Sequence, residues 1–277
     1  MYRLISVTIV VFWITAMSAL FMRDVYPAWT AQDVPPVLSD PDDRSTISEQ
    51  LGIFDAEGQR RGTAWSEVSH SSGMSSMEGV IFLNDLGSLK SVLIVTDTEF
   101  VNGELDNFEL RVLGVPGVKI RVHGERHGIY FPCELQAGPF FREMNLESTA
   151  TRMVGDVFRP FSYLPALKVG QSWRMQMIDP ISAVLGGKAR LTSLVAKVVR
   201  QETRTFGDQT IECFVVTTSP GQVTAWIGPD GKVYEQQMNV PMLGPMTVRY
   251  EPMDEQARLR TEAMFSRENR REKQGQP

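Results

Sequence analysis

The sequence predicts a mainly β protein: one large, curved antiparallel sheet, either a half-barrel or two packed sheets, with a short helical crossover. An N-terminal transmembrane helix and a C-terminal helix complete it. Three observations lead there. Short β-branched or apolar runs recur between Gly-, Asp- and Pro-containing turns from Leu51 to Glu251. The turns are too short to hold the helices that parallel strands need. The charge-free run from Leu4 to Met22, LISVTIVVFWITAMSALFM, stands apart from all of this.

That run opens the chain. As a helix it would span about 28 Å, close to the thickness of the hydrocarbon layer. Arg3 and the α-amino group flank one side, and Arg23-Asp24, nearly neutral together, the other. The positive-inside rule then keeps the N-terminus in the cytoplasm and sends the rest across the inner (cytoplasmic) membrane, to a periplasmic or extracellular location. A cleaved signal peptide is the alternative, with Ala16-Met17-Ser18 as the small-residue site, against a short n-region and a long apolar run. Either way the bulk of the chain is exported.

Residues 24–50 carry several Pro, Asp and Ser and no apolar period, which predicts an extended linker. The folded domain is expected over 51–253, with residues 1–23 as anchor and 254–277 as a charged tail. Strands are expected at 51–54, 62–70, 77–83, 89–96, 108–113, 118–123 and 129–135, then at 171–178, 189–201, 210–218, 223–227, 232–238 and 246–251. Gly228-Pro229-Asp230-Gly231 is the strongest local signal, because Pro presets the first central position of a turn and Gly accepts the left-handed conformation after Asp. Between the two blocks, residues 138–169 lack alternation. A helix is expected near Glu147–Phe158, then an irregular crossover at Pro160 and Pro165. The tail is helical in composition, with Leu259, Ala263, Met264 and Phe265 as a small apolar patch in a solvated, weakly docking helix.

Composition narrows function mainly by exclusion. The chain has 277 residues, 42% hydrophobic and 22% charged, and a formal charge of −5. No basic stripe offers itself to nucleic acid. No Gly-rich phosphate loop, Gly-x-Ser-x-Gly elbow or paired-carboxylate motif is present. His123 and His127 frame HGERHG, but Gly124 and Gly128 disfavour a helix. On one continuous strand the rings would sit about 13 Å apart, too far to share a metal. His70 is distant, so no metal site and no cofactor are expected. Cys133 and Cys213, the only two cysteines, leave two readings open. A disulfide would stabilise by ~4 kcal/mol in the chain-entropy model if the strands are neighbours. Otherwise they are buried, inert thiols. A Cys133–His nucleophile is the remaining alternative, without an orienting third group in view.

The 14 methionines are more than a chain of this length usually carries. Trp173, Met175 and Met177 share one face of their strand by period. With Trp226, Met238 and Met242 they form a candidate apolar face for a lipid-like acyl chain or a partner's helix, with a closed core as the plain alternative.

Three stretches, LGIFDAEGQRRGTAWSEVS (51–69), ALKVGQSWRMQMIDP (166–180) and VTAWIGPDGKVYEQQMNVPMLGPMTVRYEPMDEQAR (223–258), resemble large antiparallel-sheet domains of exported bacterial envelope proteins of unassigned function. Such domains also occur upstream of transglutaminase-like domains, and they are similar to the open half-barrel of lipoprotein carriers. The resemblance spans residues 51–258. It implies a fold and an envelope location, and no catalytic residues follow from it. The expected function is a non-catalytic, membrane-anchored accessory or partner-binding subunit of a membrane complex. The alternatives are acyl-chain binding and a hydrolase of unknown type.

Overall fold

The computed structural model describes residues 2–22; 46–146 apart from 72, 87–88, 103, 115–118 and 129; 154–156, 161, 164 and 166–179; 190–240 apart from 220–222; 243–261; and 263. Helix α1 (Tyr2–Leu20) forms where the apolar run predicts it. Its large side chains from Val7 onward are exposed, Phe12 at 74% and Trp13 at 62%. Among the described residues no helix is long and apolar enough to cross a membrane.

The described strands form one sheet, fifteen in number, that does not close among the described residues. The first half is β1 (Thr46–Phe54), β2 (Arg60–Ser71), β3 (Met74–Leu86), β4 (Leu89–Val101), β5 (Glu104–Leu113), β6 (Ile120–Glu125), β7 (Phe131–Ala137) and β8 (Phe140–Leu146). The second half is β9 (Val154–Asp156), β10 (Ser172–Asp179), β11 (Arg190–Phe206), β12 (Gln209–Ser219), β13 (Val223–Ile227), β14 (Val233–Val240) and β15 (Gly244–Glu251). Each half is a meander of neighbouring strands. They join where β1 pairs antiparallel with β15, Ile53 opposite Val248. The free edges are therefore β8 and β9, both in mid-chain. All neighbours are antiparallel except β9 and β10.

Turn chemistry sets the hairpins. At 228–231 the Gly231 N–H donates to the Gly228 carbonyl at 3.0 Å and the Gly228 N–H to the Lys232 carbonyl at 2.9 Å. Gly231 takes φ +82, which costs a glycine nothing. The register then slips by one at Trp226/Ile227. The sequence predicts a tight hairpin here and the chain forms one, with a one-residue register shift beside it. Gly207, at φ +57, turns β11 into β12.

Several expectations need correction. No strand is expected over 140–146, where alternation is lacking. Gly138, at φ +58, with Pro139 forms the two-residue link that makes residues 140–146 a strand. The helix expected near 147–158 is contradicted at Val154–Asp156, a strand pairing in parallel with β10. The remainder of that stretch lies outside the described residues. β1 starts at Thr46, inside the expected linker, because residues 46–50 pair with β2 from Ser69 to Trp65. Residues 24–45 lie outside the described residues. The tail forms a helix over 255–261, started by Asp254, whose Oδ1 accepts from the Ala257 N–H at 3.0 Å.

The two faces of the sheet differ. One buried cluster lines the inner face and contains residues of both halves, from Leu51 and Ile53 through Phe131 and Cys133 to Trp173, Val223 and Val248. Both halves thus turn their apolar residues to the same buried face. The outer face carries a small separate cluster of Cys213, Val215 and Trp226, with Phe206, Ile211 and Tyr234 against it.

Candidate functional site: the inner face of the second half

Alternation along β10 turns Trp173, Met175 and Met177 to the inner face, at 0%, 0% and 6% exposure. Met238 joins them from β14, opposite Val223 of β13. So four of the six residues expected to share an apolar face do so. Trp226 does not. Val223 faces Met238, and Trp226 lies an odd number of positions further along the same strand, so it points to the outer face. Met242 lies outside the described residues.

The inner face is occupied by the chain itself. Phe161, Leu164 and Leu167, from the crossover between β9 and β10, are buried in the same cluster. The ring of Phe161 meets Trp173 edge-on, with centroids 6.3 Å apart and planes at 72°. Gln236, fully buried on β14, holds this strap. Its Oε1 accepts from the Phe161 N–H at 3.2 Å, and its Nε2 donates to the Phe161 carbonyl at 3.0 Å. The Leu164 N–H donates to the Gly231 carbonyl at 2.9 Å. An amide side chain in an apolar interior is stable only when both its polar atoms are bonded, and here one residue of main chain bonds both. Among the described residues the indole Nε1 of Trp173 is buried without a hydrogen-bond partner. Sequence reasoning missed Gln236 and the strap. The one available signal was a glutamine inside the β14 run VYEQQMNV.

A cleft of about 290 Å³ at the ends of β13, β14 and β15 is lined by Thr224, Gln237, Asn239 and Thr247 together with Met238 and Met246.

The outer face is polar and built around Trp226. Its Nε1 donates to Glu202 at 2.6 Å, and the Arg204 guanidinium lies 3.8 Å from its ring centroid. The Trp226 hydrogen bond, then that from Arg200, hold the Glu202 carboxyl below the usual carboxylate range. Glu235, 4% exposed, accepts from Arg204 at 2.6 Å and from Arg249 at 3.1 Å. Further along this face one straight row crosses seven strands: Glu67, Glu78, Asp97, Glu109, His123, Glu134 and Glu143, each opposite the next. Like charges placed opposite each other are destabilising. Arg111 and Arg121 answer Glu109 at 3.3 and 3.1 Å, and Arg258 of the C-terminal helix answers Glu67 at 3.2 Å.

The thiols do not pair. Cys133 is in the inner core on β7 and Cys213 in the outer cluster on β12, and both are free. Ten strand spacings of about 4.8 Å separate those strands along the sheet, which removes the disulfide reading. Burial pushes the Cys133 thiol up to about 12 and the Cys213 thiol up to about 11. Neither is a nucleophile near neutral pH. His70 is buried, its Nδ1 2.9 Å from Ser75 Oγ. His123 lies between Glu109 and Glu134, while His127 bridges to Tyr130 outside the named strands. Among the described residues no group of three His, Cys, Asp or Glu could hold a metal ion.

No family model and no curated protein matches this chain. Two solved structures are similar at low levels. A β-barrel-like protein of the domain of unknown function DUF1849, from Brucella abortus, is 9% identical with a TM-score of 0.41, over 76% of this chain and 96% of that one. A DUF1089 family protein from Pseudomonas aeruginosa is 12% identical with a TM-score of 0.37, over 61% and 86%.

Proposed function

We propose that the protein is a non-catalytic accessory subunit, tethered to the membrane by residues 4–22, whose sheet domain binds a protein partner. The observation that carries this reading is the filled inner face. Phe161, Leu164 and Leu167 fill it, and Gln236 holds Phe161 by its main-chain N–H and carbonyl, which favours a polypeptide over an acyl chain as what this face accepts. The buried thiols give no support to the hydrolase alternative, and the acid-rich outer face disfavours nucleic acid and other polyanions. The apolar run from Leu4 to Met22 and the exposed side chains of α1 support the tether. The acyl-chain reading keeps one specific support, the cleft at the ends of β13, β14 and β15.

The test is fractionation followed by sizing. The full chain is expected to remain with membranes after alkaline carbonate extraction. In mild detergent it is expected to run in an assembly larger than its own 31.1 kDa allows. An alkaline-phosphatase reporter fused at the C-terminus is expected to be active. A soluble, monomeric chain with an inactive reporter would end the proposal.

A further inference from the structure

We propose that the strap is an internal stand-in for an extended apolar peptide of the partner, and that the inner face around Gln236 and Trp173 is where that peptide binds. This rests on the partner-binding reading above and names the chemistry of the partner.

The strap shows what the site accepts. Its apolar anchors are Phe161, Leu164 and Leu167, at every third position, and all three are buried. Gln236 reads main chain: it takes an N–H and a carbonyl from one residue, Phe161. A fatty acyl chain offers neither group in its apolar part; an extended peptide offers both at every residue. Met175, Met177, Met238 and Met246 supply an unbranched, polarizable wall that can repack around different side chains.

The strap is also an imperfect occupant. A buried tryptophan N–H normally finds an acceptor, but Trp173 Nε1 has none among the described residues. A peptide that brings a carbonyl to that N–H would satisfy a donor that the strap leaves bare. Ala166, between the strap's last two anchors, is held at φ +57, in the left-handed region that an alanine rarely takes. Release of the strap would relieve that conformation. The occupant is thus sufficient to fill the site and poor enough to be exchanged.

The experiment uses the full chain in mild detergent and a dye-labelled peptide with the sequence of residues 159–168, RPFSYLPALK. The double variant Phe161→Ala/Leu164→Ala empties the site of two anchors. It is expected to bind the peptide at least tenfold more tightly than the unaltered chain. A peptide with alanine in place of those two anchors is expected not to bind. A folded double variant that ignores the peptide overturns the proposal. So does a C16 fatty acid that binds the variant and displaces the peptide, which would reassign the face to acyl chains. If the variant does not fold, hydrogen exchange on the unaltered chain decides. The Phe161 and Leu164 amides are expected to exchange at least tenfold faster than those of Met238 and Val240, through local opening. Equal protection would make the strap permanent core and overturn the inference. Should peptide binding fail while the full chain still runs in a larger assembly, only this site falls and the accessory-subunit reading stands.

Discussion

Gln236→Leu removes the clamp on the strap with little change in volume. Gln236 is 0% exposed, and its two hydrogen bonds are the partners of the Phe161 N–H and carbonyl. Leucine fills similar space but bonds neither group. Each buried main-chain group left without a partner costs about 1–3 kcal/mol, so the pair sums to roughly 2–6 kcal/mol. An apolar side chain in an apolar site offsets part of this. Escape of the strap to water caps the loss at the strap's own docking energy. A net destabilisation of about 2–4 kcal/mol is the expected result. For a domain of this size that lowers Tm by about 4–16 °C. The assay is thermal unfolding of the full chain in mild detergent, followed through tryptophan fluorescence, together with hydrogen exchange at Phe161 and Leu164. The expected pattern is a lower Tm and faster exchange at those two amides first. An unchanged Tm with unchanged protection would show that Gln236 does not hold the strap, and the site argument would fall with it.

Three further outcomes are expected. Gly124→Ala places a Cβ 2.6 Å from both Cys133 Sγ and the Phe131 ring edge. It should destabilise by about 1–3 kcal/mol through overpacking, and Cys133→Ala should restore part of that loss in a double-mutant cycle; strictly additive effects would refute the contact. Both thiols should resist iodoacetamide at pH 8 in the folded chain and react once it is unfolded. Their folded pKa values, about 12 and about 11, lie above the ordinary thiol value of 9.0, so the unfolded chain loses its protons first. Stability should therefore be intact below about pH 9 and fall progressively as pH rises through 11 to 12; stability that rises over that window would contradict their burial. Trp226→Phe removes the hydrogen bond that most lowers the Glu202 carboxyl, so NMR titration should show that carboxyl moving up toward its ordinary value. A lowered folded pKa contributes stability that is lost only as pH falls through it, so the acid limb of the stability curve should shift to higher pH in the variant.

Much of the sheet was legible in the sequence because a half-buried strand writes its period directly. The runs that became β2 to β5 and β10 to β14 alternate between turns whose glycines and prolines have one preferred geometry, and 228–231 folds as its residues require. The apolar helix at the start needed nothing else. β8 escaped because Phe140 and Phe141, adjacent and both exposed, break the alternation. Gly138-Pro139 was the signal that a hairpin continued. β9 is three residues long and paired in parallel with β10, a non-local contact with no trace in its own composition. The pairing of β1 with β15, which makes two meanders one sheet, is likewise a long-range contact.

The faces divide in the same way. Local period placed Trp173, Met175 and Met177 together, since one strand fixes their relative direction. Whether Trp226 joined them depended on cross-strand register, and register put it on the other side, over Cys213 and under Arg204. The separation of the two cysteines, the occupant of the inner face and the burial of Gln236 depend on how distant segments are arranged around one another. Local sequence determines which way a side chain leaves its own strand. Only the tertiary fold determines what it meets, because that contact is fixed by the pairing and register of strands far away in the chain.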